Sequence, residues 1–178
     1  MAQVNRSDWV NAALNQLREQ GPQAVSGEKL ARRLDVTRGS FYHHFPSMDD
    51  FIEQVMDEWE RTYTRAPLEK VHTDDPGTEM NRLLEAAWNA DIELELAVRQ
   101  WGFVNPTVQK RIERMDQVRL MHVSNLYSIL IGDDAKGRKF GKIAYFGLLG
   151  ALHSSPRPTR AELRDMVLEI QTLLLHEL

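Results

Sequence analysis

The hydrophobic positions of this chain repeat with the period of an α-helix almost from end to end. Residues three and four apart share a helix face, so apolar side chains at that spacing mark a helix with one buried side. From Ser7 to Gln20 the residues Trp9, Val10, Ala13, Leu14 and Leu17 fall on one face. Ser7 is the expected cap, and Gly21-Pro22 the stop. A short helix follows Ser26 and carries Leu30, Ala31 and Leu34. Another opens at Thr37, as its cap, and runs to His44. Ser47-Met48-Asp49-Asp50 has the form of a capping box with Asp in place of Glu. The helix it opens turns Phe51, Ile52, Val55, Met56, Trp59 and Tyr63 inward and is expected to end before Pro67.

The stretch Arg65 to Gly77 is polar and holds two prolines, which predicts a joint between two helical units. Beyond it the spacing predicts helices over 78–90, 92–102, 106–131, 134–153 and 160–177. Asn105-Pro106 is a cap followed by proline at the first helical position, and Thr159 with Glu162 forms a full capping box. Alternating β-branched runs bounded by hairpin turns are missing from the sequence. The expected fold is therefore all-α, with about nine helices. A three-helix helix-turn-helix domain over 1–65 is joined to a helical bundle over 66–178.

Composition narrows the setting. At 42% hydrophobic the 178 residues are able to bury a core. There are no cysteines, which removes disulfides and thiolate chemistry and suits a reducing cytoplasm. The N-terminus has no basic segment followed by an apolar one, so a secretory leader is not expected. The best apolar run, Ile143 to Leu152, is half of what a membrane span needs, so no membrane partner is expected. Net charge is −4. Residues 1–47 nonetheless hold six basic side chains (Arg6, Arg18, Lys29, Arg32, Arg33, Arg38) against four acidic ones (Asp8, Glu19, Glu28, Asp35). That balance of +2 makes a small basic end on an acidic body, which permits local binding to a polyanion.

The densest chemistry lies in "LARRLDVTRGSFYHHF", Leu30 to Phe45. Two short helices joined at Asp35-Val36 fit a helix-turn-helix, because Asp tolerates the left-handed backbone that such a turn needs. The second helix would enter the DNA major groove. Arg38 has the fork for a guanine, and Gly39 lets backbone approach closely. Thr37 and Ser40 offer hydroxyls, and Tyr42 and His43 offer donors to phosphate. Phe41 and Phe45, four apart, face the other way as anchors. The bland alternative is a solvated helix face. Adjacent His43 and His44 point about 100° apart on a helix and would not share one metal ion easily, so no metal or other cofactor is expected. Asp49-Asp50 read as helix-start charges rather than an acid–base pair. No nucleophile triad or phosphate loop stands out, so an enzyme is not expected.

With the preceding helix and Gly21, "VSGEKLARRLDVTRGSFYHHFPSMDDF" resembles the N-terminal domain of TetR-type transcriptional repressors over about residues 7–64. The resemblance implies that the helix holding Arg38 reads an operator, that Tyr42 holds a phosphate, and that the helix caps touch the backbone. Two residues depart from the pattern. Asp35 stands where the family usually has Gly, and Met48 where it commonly has a phosphate-binding Lys. The resemblance also implies a C-terminal half that binds a small-molecule effector and forms a homodimer on palindromic double-stranded DNA. A protein-interaction module that kept the fold but lost DNA binding is the alternative, and Met48 and the acidic balance favour it.

In the second half, Trp88, Trp101, Phe103, Met115, His122, Tyr127 and Tyr145 are the candidate walls of an effector cavity, against the plainer reading as core. Arg99, Asp116 and Arg119 read as a buried ion-pair set. For the dimer, Gly141, Ala144, Gly147 and Ala151 lie along one helix, and Leu163, Val167, Ile170 and Leu174 along the last. Glycine costs about 1 kcal/mol in a helix relative to Ala, so several in one helix predict close approach of another backbone. Pairing both helices across a two-fold axis would cover the apolar stripe of the last one, against the plainer reading that both pack inside one subunit.

Overall fold

The computed structural model describes residues 4–176; the side chains of 170, 171 and 173–176 lie outside the described residues. Ten α-helices succeed one another, without a strand among the described residues. They are α1 (Arg6–Gln20), α2 (Gly27–Arg33), α3 (Arg38–His44), α4 (Met48–Glu60), α5 (Ala66–Val71), α6 (Pro76–Trp88), α7 (Ile92–Gly102), α8 (Pro106–Ile131), α9 (Asp134–His153) and α10 (Arg160–His176). A five-residue π turn, Arg61–Arg65, joins α4 to α5 without a break, so the ten segments form nine rods.

Several of the expected ends move. Helix α1 is capped by Asn5 rather than Ser7. The Asn5 side chain accepts from the Ser7 and Asp8 amides at 2.8 and 3.2 Å, and the Asp8 carboxylate accepts from the Asn5 amide at 2.8 Å. This reciprocal box closes two orphan amide ends, which a serine at position 7 would not do. The second shift is at Pro67. The helix runs through it to Val71, because the wider π turn just ahead accommodates the ring and the missing amide donor. The expected joint thus shrinks to the four residues 72–75. Helix α6 opens at Pro76, capped by Asp75, and ends at Trp88 rather than spanning 78–90. Four other starts carry the caps the sequence predicts. Ser26, Ser47 and Asn105 accept from the amides of Lys29, Asp50 and Val108, and Thr159 with Glu162 forms the full box.

The chain separates into two compact units. The first takes residues up to 65 together with 91–115, and the second takes 66–90 and everything from 116 onward. Helix α8 contributes its first ten residues to the one and the remainder to the other.

The first unit is built on large aromatic side chains. Trp9, Phe41, Phe45, Phe51 and Trp59 are almost wholly buried, with Leu17, Leu30, Val55, Met56 and Leu94 around them. On α8, Arg111 reaches Glu53 at 3.1 Å and also pairs with Asp57 and Glu60 of α4. Those three carboxylates lie four and three residues apart, on one face of the helix. Glu60 is fully buried, and Arg65 takes its other oxygen at 3.0 Å. A buried carboxylate without such partners would cost several kcal/mol.

The second unit has a smaller core of Met80, Leu126 and Tyr127, packed by Leu83, Leu84, Val123, Leu130, Phe140 and Ala144. Here α9 crosses α8 at Gly137 and Gly141. A β-carbon at Gly137 would lie 2.3 Å from the Ser128 backbone, and one at Gly141 2.5 Å from the Ser124 α-carbon. Only glycine permits that approach.

Candidate nucleic-acid interface

Helices α2 and α3 stand at the turn the sequence predicts. Asp35 is left-handed, with φ of 54°. Val36 donates to the Ala31 carbonyl at 3.0 Å and closes the turn. A β-carbon on Gly27 would come within 3.3 Å of the Phe41 ring, so the two helices meet closely at their start.

Helix α3 has seven residues and is too short to hold itself in water. Its anchors are the two phenylalanines. Phe41 meets Trp9 at 5.4 Å and Phe51 at 5.1 Å between ring centroids, and Phe45 meets Phe51 at 4.7 Å. These edge-on contacts bury both rings and fix the helix rotation. The opposite face is left to solvent. Thr37, Arg38, Gly39, Tyr42 and His43 are exposed, while Ser26 and Ser40 are half-buried. Tyr42 is 56% exposed, a high value for an aromatic side chain. A β-carbon on Gly39 would meet only the Thr37 hydroxyl, at 3.7 Å. Nothing inside the chain therefore requires glycine there, unlike at Gly27.

Thr37 occupies the cap position of α3, but its hydroxyl accepts no hydrogen bond from the helix amides. The expected side-chain cap is therefore not made. Ser26 does cap α2, at 3.3 Å from the Lys29 amide.

The basic end looks different in three dimensions from its charge count. Arg33 forms a two-pronged bridge to Glu19 at 2.6 and 2.9 Å, which holds the Glu19 carboxyl below its ordinary range. Arg32 pairs with Glu28 at 3.0 Å, and Arg18 with Asp91 at 2.6 Å. Lys29 donates to the Gln23 carbonyl at 2.7 Å, and Arg6 to the His44 carbonyl at 2.9 and 2.5 Å. Arg38 instead extends over the Tyr42 ring, 6.0 Å from its centroid. The Tyr42 hydroxyl beside it raises the guanidinium above its ordinary value. All six cations are exposed, but every one except Arg38 is engaged by a carboxylate or a backbone carbonyl of the chain itself. The internal tie of Arg6 to α3 is a feature that sequence spacing gave no means to find, because 38 residues separate the partners.

The expected cavity walls scatter. Trp101 and Met115 are buried in the first unit, and Trp88, Tyr127 and Tyr145 in the second. Trp101 also borders an open recess of about 320 Å³ with Pro22, Gln23, Gln100 and Val104. Phe103 is 84% exposed and lines no interior. It falls in the turn after α7, where the chain reverses toward Pro106 and the helix face that would bury it has ended. His122 and Tyr145 already have polar partners. Tyr145 donates to Asp116 at 2.7 Å, and the His122 Nε2 lies 3.1 Å from the buried Glu79. The other Glu79 oxygen accepts from the Thr73 amide at 3.1 Å and faces the His72 Nδ1 at 3.0 Å. Arg99 pairs with Glu95 on its own helix at 2.8 Å. Among the described residues no three His, Asp or Glu side chains are placed to hold a metal ion, and no helix is long and apolar enough to cross a membrane.

The positions expected at a dimer interface fall in different surroundings. Gly141 is buried against Ser124 of its own chain, Ala144 packs on the Tyr127 cluster, and Leu163 is 6% exposed. Close backbone approach at Gly141 is therefore internal, between α8 and α9. Ala151 and Val167 are half-buried, while Gly147 and Gly150 face open space. Ile170 and Leu174 lie on α10 with side chains outside the described residues. Exposed apolar side chains instead stand at Ile143, Phe146, Met166 and Leu168.

Residues 10–55 match the model of bacterial regulatory proteins of the tetR family. No curated protein matches the sequence. Among solved structures, a TetR-family transcriptional regulator from Streptomyces coelicolor has a TM-score of 0.78 at 18% identity, over 97% of this chain and 94% of that one. A transcriptional regulator from Rhodococcus sp. Rha1 has a TM-score of 0.76 at 17% identity, over 98% and 97%. A TetR transcription regulator from Haloarcula marismortui has a TM-score of 0.71 at 15% identity, over 97% of both. At such identities the likeness is one of fold, and it extends over both units. The helix-turn-helix segment over residues 10–55 thus matches the tetR family of bacterial regulatory proteins, and the chain as a whole has the fold of solved TetR-type transcriptional regulators.

Proposed function

We propose that this regulator is a ligand-responsive repressor that binds a palindromic operator as a homodimer. The observation that carries the DNA half is the division of α3, with two buried phenylalanines behind and Arg38, Tyr42 and His43 exposed in front. Arg38 reads a base edge. Thr37, Ser40, Tyr42 and Ser26 hold phosphates, and Gly39 admits the backbone. The homodimer forms through the outer face of α9 and α10. Ile143, Phe146, Met166 and Leu168 are each about half exposed there, and Gly147 and Gly150 leave room for a second helix. Such a face is costly to leave in water, and a two-fold copy covers it. The axis then sets two copies of α3 one DNA turn apart, roughly 34–36 Å, or a multiple of it. The effector binds among the aromatic side chains of the second unit and shifts the population between two spacings of the reading heads.

The test is binding to random and upstream DNA over a salt series. Arg38→Ala should lower operator affinity by about 1–3 kcal/mol and relax preference at one position per half-site. Tyr42→Phe should weaken binding to all sequences alike. A wild type that binds neither DNA, with folding intact by circular dichroism, would point instead to the protein-interaction module.

A further inference from the structure

Arg6 opens α1, yet its guanidinium is spent on the far end of α3. Its Nε and Nη2 both donate to the His44 carbonyl, at 2.9 and 2.5 Å, and its Cζ sits 5.5 Å from the centre of the Phe45 ring. His44 is the last residue of α3. The final carbonyls of a helix have no partner within it, and they carry the negative end of its dipole. A forked cation placed there satisfies one of them and matches the charge. In a seven-residue helix the last turn is half of the element. Phe41 and Phe45 fix its rotation, and its two ends decide how firmly the terminal turns and their exposed side chains are held. The start of α3 lacks a side-chain cap, since Thr37 makes none. The tie at the other end therefore carries more of the burden.

We propose that Arg6 is a positioning residue for the reading helix: it clamps the C-terminal carbonyl of α3 and so fixes how Arg38, Tyr42 and His43 are presented. The proposal rests on the DNA-binding reading of α3. It gives Arg6 a role opposite to the obvious one for a cation near the N-terminus of a DNA-binding domain. Arg6 serves specificity from inside the domain and is not a phosphate contact.

The two roles separate by salt and by sequence. A phosphate contact raises affinity for every duplex, and its loss flattens the slope of log K against log salt by about 0.9. A positioning residue acts on the preferred site alone. The experiment measures binding of the full chain to an operator selected from random DNA and to an unrelated duplex, over a salt series. Arg6→Gln should weaken operator binding roughly fivefold, the scale of one charge-assisted bond at a helix end. It should leave unrelated DNA and both slopes unchanged. Arg6→Lys, which restores the charge but not the fork, should recover part of the loss. Amide exchange of the same variants gives a second readout. In Arg6→Gln the Phe45 amide, bonded to the Phe41 carbonyl at 2.9 Å, should exchange several-fold faster, with the middle of α1 unchanged. Equal weakening on both duplexes with a flatter slope would make Arg6 a phosphate contact and overturn the proposal. So would unaltered operator binding or unaltered exchange. A wild type with no sequence preference would overturn the DNA-binding reading itself, and it is told apart by appearing before any substitution is made.

Discussion

Around α3 the chain packs large side chains against large ones; at two points where α9 crosses α8, Gly137 and Gly141, it brings backbone against backbone. Trp9, Phe41, Phe45 and Phe51 interlock edge to face. At the α8–α9 crossing, Gly137 and Gly141 bring backbone against Ser128 and Ser124. The aromatic arrangement sets rotation: it decides which face of a short helix is outside. The glycine arrangement sets distance: it brings two long helices together and leaves α9 its outer face, where Ile143 and Phe146 are exposed. A reading helix needs the first, and a helix proposed to meet a second copy needs the second. The two regions should therefore fail in different ways when altered.

The largest effect is expected at Phe41. Phe41→Ala removes the ring that touches Trp9, Tyr42, Phe45 and Phe51. It should cost about 3–5 kcal/mol in denaturant unfolding, the usual range for a buried Phe. The loss should appear in amide protection of α1 to α4 while α9 keeps its own. Loss of protection spread evenly over both units would show that they unfold as one, and the comparison would lose its basis.

Next comes the crossing. Gly141→Leu forces a side chain into the Ser124 backbone and should destabilise by about 1–3 kcal/mol or more, as overpacking does. Gly147→Leu, six residues along the same helix, meets nothing within 4 Å. It should leave monomer stability within about 0.5 kcal/mol, or raise it slightly through better helix propensity. If α9 pairs with a second copy, the same substitution should shift sedimentation toward monomer at micromolar concentration. Equal damage from both substitutions to unfolding and none to association would remove the distinction between an inner and an outer glycine face.

These particular residues also show what the sequence discloses. Most of the helices, the caps at Ser26, Ser47, Asn105 and Thr159, and the left-handed Asp35 were legible, because each depends on neighbours within a few positions; the run through Pro67 to Val71 was not. The separation of Phe41 and Phe45 from Arg38 and Tyr42 was legible for the same reason. Gly141 was legible as a close approach but not as an internal one, since spacing does not say which backbone arrives. Phe103 carries an aromatic signal with no helix face beneath it. The six cations near the N-terminus looked alike in sequence, yet Arg33 meets Glu19 and Arg6 meets His44 through the fold alone.

Helix starts capped by carboxylates also differ from those capped by hydroxyls, and acid should reveal it. In the second unit Asp75 and Asp133 cap α6 and α9, and Glu162 closes the box of α10. All three have carboxyls held below the ordinary range. For Asp75 the leading cause is the side-chain bond with Thr78, for Asp133 the Lys136 amide, and for Glu162 the Thr159 amide. In the first unit α2 and α4 are capped by the hydroxyls of Ser26 and Ser47. A lowered folded value means stability that is present above the unfolded carboxylate value and is lost as pH falls through the folded one. Acidification below the ordinary carboxylate range should therefore loosen the first turns of α6, α9 and α10 before that of α2. Amide exchange at Ala135 and Lys136 against Lys29 measures it. Simultaneous loosening would mean that the caps do not govern acid sensitivity.

The smallest effect is expected at Asp35, inside the aromatic unit but independent of its rings. At φ of 54° a residue with a β-carbon is strained, and Asp tolerates it better than most. Gly relieves the strain but adds freedom to the unfolded chain, worth about 0.5–1 kcal/mol in the other direction. The two terms nearly cancel, so Asp35→Gly should change stability by less than about 1 kcal/mol. Asp35→Ala keeps the β-carbon and loses the local polar compensation, and it should destabilise by about 1 kcal/mol. The order Gly, Asp, Ala in midpoint of thermal unfolding would show that the turn is set by backbone conformation alone. An Asp35→Ala variant as stable as the wild type would mean that the ring packing of α3 holds the turn whatever residue occupies it.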